Sequence, residues 1–140
     1  MGTIAHAYES GEQAANEGIF SNLVVLARVD GNIDIEEMTL LERVARRLSL
    51  TPEQVKEIMK HPEEYPMIPP VGKEERYERF IQFVEMTAAD GHIVDAERRM
   101  MVRYGIALGF DEDYSPVMME QILGQVLAGE DRDVILKSLI

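Results

Sequence analysis

Residues 30–37 read DGNIDIEE, and residues 90–97 read DGHIVDAE. Each stretch begins with Asp-Gly, places Ile two residues after the glycine, and ends on Glu. Glycine after an apolar helical stretch is the usual C-terminal stop, because it accepts a positive φ. Asp34 followed by Glu37 is the pattern of a capping box that opens the next helix. The stretch therefore reads as a corner between two helices, used twice.

Reading outward from the first corner, a helix is expected from about Glu12 to Asp30. Phe20, Leu23, Val24 and Ala27 give it one apolar face. A second helix begins near Asp34 and buries Leu40, Leu41, Val44, Ala45 and Leu48. A third opens at Thr51-Pro52-Glu53-Gln54, with a capping threonine, proline in the first turn and glutamine three after the cap. Residues 61–72 hold four of the six prolines. They predict a surface connector that supplies no ion ligand.

The pattern then restarts. Tyr77, Phe80, Ile81, Val84 and Ala88 form one stripe, and Met100, Met101, Tyr104 and Leu108 the next. A shift of sixty residues carries Phe20 onto Phe80, Val24 onto Val84, Gly31 onto Gly91, Glu37 onto Glu97 and Leu48 onto Leu108. After a short insertion near 111–114, Ser115-Pro116 repeats Thr51-Pro52. The expected fold is all-α: one compact bundle of two duplicated three-helix units about a pseudo-twofold axis, plus a C-terminal helix. The boundaries are repeat 1 over about 12–60, the connector 61–72, repeat 2 over about 74–128, and the last helix over 130–140. One such unit alone would bury little apolar surface, so a shared core is expected.

Composition narrows the function. Cysteine is absent, which removes disulfides, thiolate metal sites and cysteine nucleophiles. The formal charge of −12 repels nucleic acid and anionic membranes and favours cations or a basic protein partner. The N-terminus lacks a basic segment followed by an apolar run, His6 stands where a myristoylation signal wants Ser or Thr, and no run has the length of a membrane span. The expected location is the cytoplasm.

The corners carry the candidate chemistry. An EF-hand loop with Gly31 as its sixth residue would place Leu26 and Arg28, or Met86 and Ala88, at its entering ligand positions; a standard calcium loop is excluded. Asp30, Glu37, Asp90 and Glu97 would nevertheless converge if duplication brought the corners together, with Asp34, His92 and Asp95 as further candidates. Two like charges 4 Å apart cost about 4 kcal/mol at a surface-like dielectric, so convergence calls for a cation. All-oxygen ligation favours Ca²⁺ or Mg²⁺, and His92 would admit Zn²⁺ or Mn²⁺. Capping accounts equally for Asp34 and Glu37. At the second corner Val94 replaces the capping Asp34 while Glu97 keeps its place, for which capping gives no clear reason. Spacing leaves metal binding and pure capping open.

The copies ARVDGNIDIEE and TAADGHIVDAE resemble the tellurite-resistance TerB-like family over roughly residues 12–128, and are similar in pattern to the N-terminal domain of the co-chaperone DjlA. The resemblance implies an all-helical fold, a divalent-metal site at Asp30, Glu37, Asp90 and Glu97, and a link to tellurite resistance or stress responses, with no agreed enzymatic activity. Val94 and Arg28 depart from the family's pattern. The leading expectation is a cation-binding helical module without organic cofactor. One alternative is a metal-free protein-interaction scaffold whose acids are caps. The other is a metal-dependent hydrolase with Glu37 or Glu97 as general base, for which no phosphate loop or nucleophile motif speaks. The pairs Met100-Met101 and Met118-Met119 are each expected to place one residue in the core. The arginines at 43, 46, 47, 98, 99 and 103 read as solvated helix faces with acidic neighbours. His6 and His61 fall in segments read as irregular, with no spacing partner.

Overall fold

A computed structural model describes residues 11–29, 31–89 and 91–140. Among them are seven α-helices, one 3₁₀ turn and no strand. The helices are α1 (Gly11–Ala27), α2 (Ile35–Arg47), α3 (Pro52–Lys60), α4 (Lys73–Thr87), α5 (Asp95–Ala107), α6 (Tyr114–Leu127) and α7 (Arg132–Leu139), and the 3₁₀ turn spans Pro62–Glu64. No helix of the described residues is long and apolar enough to cross a membrane. The chain divides into two compact units, Met1–Ile68 and Pro69–Ile140.

In the first unit α1 is central: α2, α3 and the 3₁₀ turn all pack on it. Its stripe of Phe20, Leu23, Val24 and Ala27 is buried, against Leu40, Leu41, Val44, Ala45 and Leu48 of α2 and Ile58 of α3. Each such side chain contributes about 1.5–3 kcal/mol on burial, so the stripes rather than the caps hold the helices together. Residues 61–68 do not simply run over the surface. Tyr65 is buried, and the Ser21 hydroxyl donates to the Pro62 carbonyl at 2.6 Å. The chain crosses α1 so closely that a Cβ on Gly18 would stand 2.8 Å from the Pro66 carbonyl oxygen, which is why no larger residue fits there.

In the second unit α4 is central, touching α5, α6 and α7, and α6 also packs on α5 and α7. The expected stripes are buried throughout. All four paired methionines, Met100, Met101, Met118 and Met119, lie in the core, where one of each pair was expected. The reason is that α5 and α6 each meet more than one neighbour, so adjacent residues on adjacent faces are both covered. Helix α6 opens at Tyr114, one residue before the expected cap; Ser115 is buried inside the first turn, and its hydroxyl donates to the Val102 carbonyl at 2.8 Å.

Two buried phenols mark this core. Tyr77 shares a 2.8 Å hydrogen bond with the Tyr114 hydroxyl, and burial, then that bond, push its pKa to about 12. Tyr104 packs on Phe83 at 4.6 Å between ring centroids; burial pushes its pKa up, and the Arg79 charge opposes this in part. Its buried hydroxyl has no hydrogen-bond partner among the described residues. Both phenols stay protonated in the folded chain at pH values where an unfolded tyrosine, with pKa near 10, ionises. Their contribution to stability is therefore complete below about pH 10 and is lost as pH rises from there toward 12. Urea denaturation across this range should show that fall, and Tyr104→Phe should flatten it. At neutral pH the same substitution should raise stability by about 1 kcal/mol, because it removes a buried hydroxyl without a partner. A large loss would mean that the hydroxyl is bonded.

Candidate functional site

The corners are built as helix starts. Gly31 and Gly91 adopt φ of 111° and 76°, the left-handed region, and turn the chain out of α1 and α4. Ile33 and Ile93 that follow are half-buried. At α2 the box is complete. Asp34 Oδ1 accepts from the Glu37 amide at 2.7 Å, and Glu37 Oε1 accepts from the Asp34 amide at 3.2 Å. At α5 half of it remains: Glu97 Oε1 accepts from the Val94 amide at 2.8 Å, while the Glu97 amide bonds the Val94 carbonyl instead of a side chain. Asp95 is the first residue of α5, not its cap. The retention of Glu97 without an acidic partner thus has a local reason, since the glutamate still satisfies a main-chain amide that α5 leaves open.

Glu37 and Glu97 are 6 % and 3 % exposed, so neither is a solvated surface acid. Asp34, Asp95 and His92 are exposed. Asp30 and Asp90, the other two carboxylates of the expected ion site, lie outside the described residues, as does His6.

One group of three metal-ligating side chains emerges among the described residues, and it is elsewhere: Glu57, His61 and Glu64 offer one ligand atom each, all within 4.8 Å of one another. Glu57 and His61 are four residues apart, so they share one face at the end of α3. His61 caps that helix, its amide donating to the Glu57 carbonyl at 3.0 Å. Pro62 then starts the 3₁₀ turn, and the Glu64 amide donates to the His61 carbonyl at 3.0 Å, which swings Glu64 back toward the imidazole. His61 Nδ1 stands 3.8 Å from Glu64 Oε2 and 3.5 Å from Glu63 Oε1. Ser21 of α1 steadies this backbone through Pro62, and Arg28 in the turn after α1 does so through Nη2, which donates to the Met59 carbonyl at 2.7 Å.

Charges of both signs stand at this end, with Lys60 in the last turn of α3 and the Arg28 guanidinium on the Met59 carbonyl. The C-terminal end of a helix carries partial negative charge and disfavours anions. Carboxylates nevertheless gather at the end of α3. A divalent cation would relieve them, and two carboxylates with a neutral imidazole would balance its charge. Tetrahedral zinc at about 2.0–2.1 Å from each ligand needs ligand atoms roughly 3.4 Å apart, which exposed side chains reach by small rotations. Sequence reading missed this group because His61 was given no spacing partner and the connector no ligand. The Glu57–His61 spacing was there to be read; Glu64 joins it only through the turn that Pro62 starts.

Comparison with protein-family models, with curated proteins and with solved structures finds no match for the chain in any of the three.

The caps give a direct test. Val94→Asp should complete the second box and stabilise the fold by about 1 kcal/mol. Glu97→Gln should be nearly neutral, since Gln54 already plays this part at α3, accepting from the Thr51 amide at 2.8 Å. Glu97→Ala should cost about 1 kcal/mol or more, because it strands an amide beside the core. Chemical denaturation of the three variants measures all of this; a destabilising Val94→Asp would show that the corner has no room for the box.

Proposed function

We propose that the chain is a divalent-cation-binding helical module, the role that the TerB-like resemblance of its corners implies, and that Glu57, His61 and Glu64 hold an ion in its first unit. The observation that carries this reading is the approach of three ligating atoms from one helix end and one adjoining turn to within 4.8 Å. Mixed imidazole and carboxylate ligands favour Zn²⁺ or Mn²⁺ over Ca²⁺ or Mg²⁺. All three side chains are exposed, so water would complete the coordination shell and the ion would exchange freely. This suits sensing or buffering of a cation in a stress response better than a permanent structural ion.

The corner site of Asp30, Glu37, Asp90 and Glu97 ranks second within the same reading. One oxygen of Glu37 and one of Glu97 are already committed to main-chain amides. The sixty-residue offset further supports descent of the two units from one duplicated three-helix unit. A metal-free interaction scaffold is the alternative favoured by a specific observation, namely that the corner glutamates act as caps. That same use speaks against either glutamate as the general base of a hydrolase.

Titration calorimetry with Zn²⁺, Mn²⁺, Ca²⁺ and Mg²⁺ tests the proposal. Zn²⁺ or Mn²⁺ should bind with a stoichiometry of about one ion per chain and raise the melting temperature, by about 2.7 kcal/mol of stability at a hundredfold excess over the dissociation constant. His61→Ala should remove most of the binding, and Glu97→Gln should leave it intact. Binding of Ca²⁺ that survives His61→Ala but not Glu97→Gln would move the site to the corners. Failure of all four ions to bind would leave the scaffold.

A further inference from the structure

The second unit shows what fills a hollow that the first unit leaves open. Helix α5 ends at Leu108, Gly109 and Phe110, with Gly109 at φ 107°, its amide on the Ile106 carbonyl at 2.9 Å and the Phe110 amide on the Gly105 carbonyl at 3.1 Å. The guanidinium of Arg76, from the first turn of α4, lies directly against this glycine. A Cβ on Gly109 would stand 2.9 Å from Arg76 Nη1 and 3.3 Å from Cζ. Arg76 Nε donates to the Pro70 carbonyl at 2.7 Å.

Helix α2 ends in the same way. Ser49 has φ 61°, its amide bonds the Arg46 carbonyl at 3.1 Å, and the Leu50 amide bonds the Ala45 carbonyl at 3.0 Å. Ser49 stands sixty residues before Gly109, and sixty residues before Arg76 stands Asn16. The asparagine is too short to do what Arg76 does; its Nδ2 reaches only the Leu48 carbonyl, at 3.4 Å. Where the second unit has a guanidinium, the first has a hollow of about 460 Å³ lined by Glu12, Gln13, Asn16, Ser49, Thr51 and Gln54 over the apolar Leu48 and Leu50. That volume lies within the range of small-ligand pockets, about 300–1,000 Å³.

We propose that this hollow binds a guanidinium group from outside the chain, beside the helix end as Arg76 lies in the second unit but set outward by the Ser49 side chain, since a Cβ at that position would stand 2.9 Å from Arg76 Nη1. Its lining holds a carboxylate, three side-chain amides and two hydroxyls, and no Lys or Arg. Thr51 Oγ1 and Gln54 Oε1 already accept main-chain amides as the capping box of α3, so the acceptors offered to a planar N–H donor are those of Glu12, Asn16 and Ser49, and the −12 charge of the chain draws cations toward them. Ser49 is the one described residue other than glycine with positive φ, a conformation that costs a side-chain-bearing residue about 1–2 kcal/mol. The positive φ is that of the residue that ends a helix, as at Gly109, and the serine adds a hydroxyl at the mouth of the hollow where Gly109 has none. The ligand class is an arginine side chain of a basic peptide or free arginine.

The test is a heteronuclear NMR titration of the full chain with Nα-acetyl-arginine amide, free arginine, Nα-acetyl-lysine amide and the neutral isostere Nα-acetyl-citrulline amide. The arginine compounds should shift the amides of Asn16 and of residues 48–54, and citrulline should bind about tenfold more weakly, since it lacks the charge that strengthens the hydrogen bonds. Equal shifts from capped and free arginine would show that the guanidinium suffices; response to the capped compound alone would assign the site to peptides. Asn16→Arg should fill the hollow from within, as Arg76 does, and abolish the shifts. Glu12→Gln, an exposed change that leaves the core untouched, should weaken binding about threefold. Equal binding of citrulline and arginine, no shift at residues 48–54, or unchanged binding in Glu12→Gln together with a folded Asn16→Arg would overturn the proposal.

Discussion

The main-chain amides at the start of a helix have no partner within it, and a fold of short helices meets this demand repeatedly. The answer here is one interaction used three times: the third helical residue reaches back to the amide of the cap. Glu37 does so at α2, Gln54 at α3 and Glu97 at α5. Because the two glutamates do this beside the core, they are buried acids with a structural task.

This use separates two meanings of one motif. An acidic corner that occurs twice suggests an ion site, and the TerB-like resemblance strengthens that suggestion. A carboxylate oxygen that accepts a main-chain hydrogen bond has, however, already offset part of its charge without a metal. The carboxylates at the end of α3 have no such arrangement. They gather around an imidazole at the end of a helix where negative charge is disfavoured, on a backbone held in place by Ser21 of α1 and by Arg28 just after it.

The two units also differ where their sequences have drifted. Arg76 against Gly109 closes the end of α5, whereas Asn16 beside Ser49 leaves the end of α2 open. The helix endings are alike in hydrogen bonding, so the difference lies in the side chains, Asn16 and Ser49 in the first unit against Arg76 and Gly109 in the second. A filled and an open version of one local arrangement indicate what would fit the open one.

Local rules were legible in the sequence. Apolar spacing located the buried stripes of α1, α2, α4 and α5, from Phe20 and Val24 to Tyr104 and Leu108, because a helix repeats its face every three to four residues whatever it packs against. The capping signatures at Asp34 and Thr51 held because they concern only neighbours in the chain. Four features could not be read this way. Both residues of each methionine pair are buried because α5 and α6 meet several helices, which no single-helix periodicity encodes. Ser115 became a buried hydroxyl on Val102 because the chain beyond α5 set where α6 begins. Glu64 reached His61 because a proline-started turn reversed the chain. The end of α2 stands open because a neighbouring helix supplies asparagine where its counterpart supplies arginine. The sequence by itself determined the helices, their faces and their caps, since these depend on contacts within a few residues; the tertiary structure decided which side chains from different elements meet, since only packing brings distant residues within bonding reach.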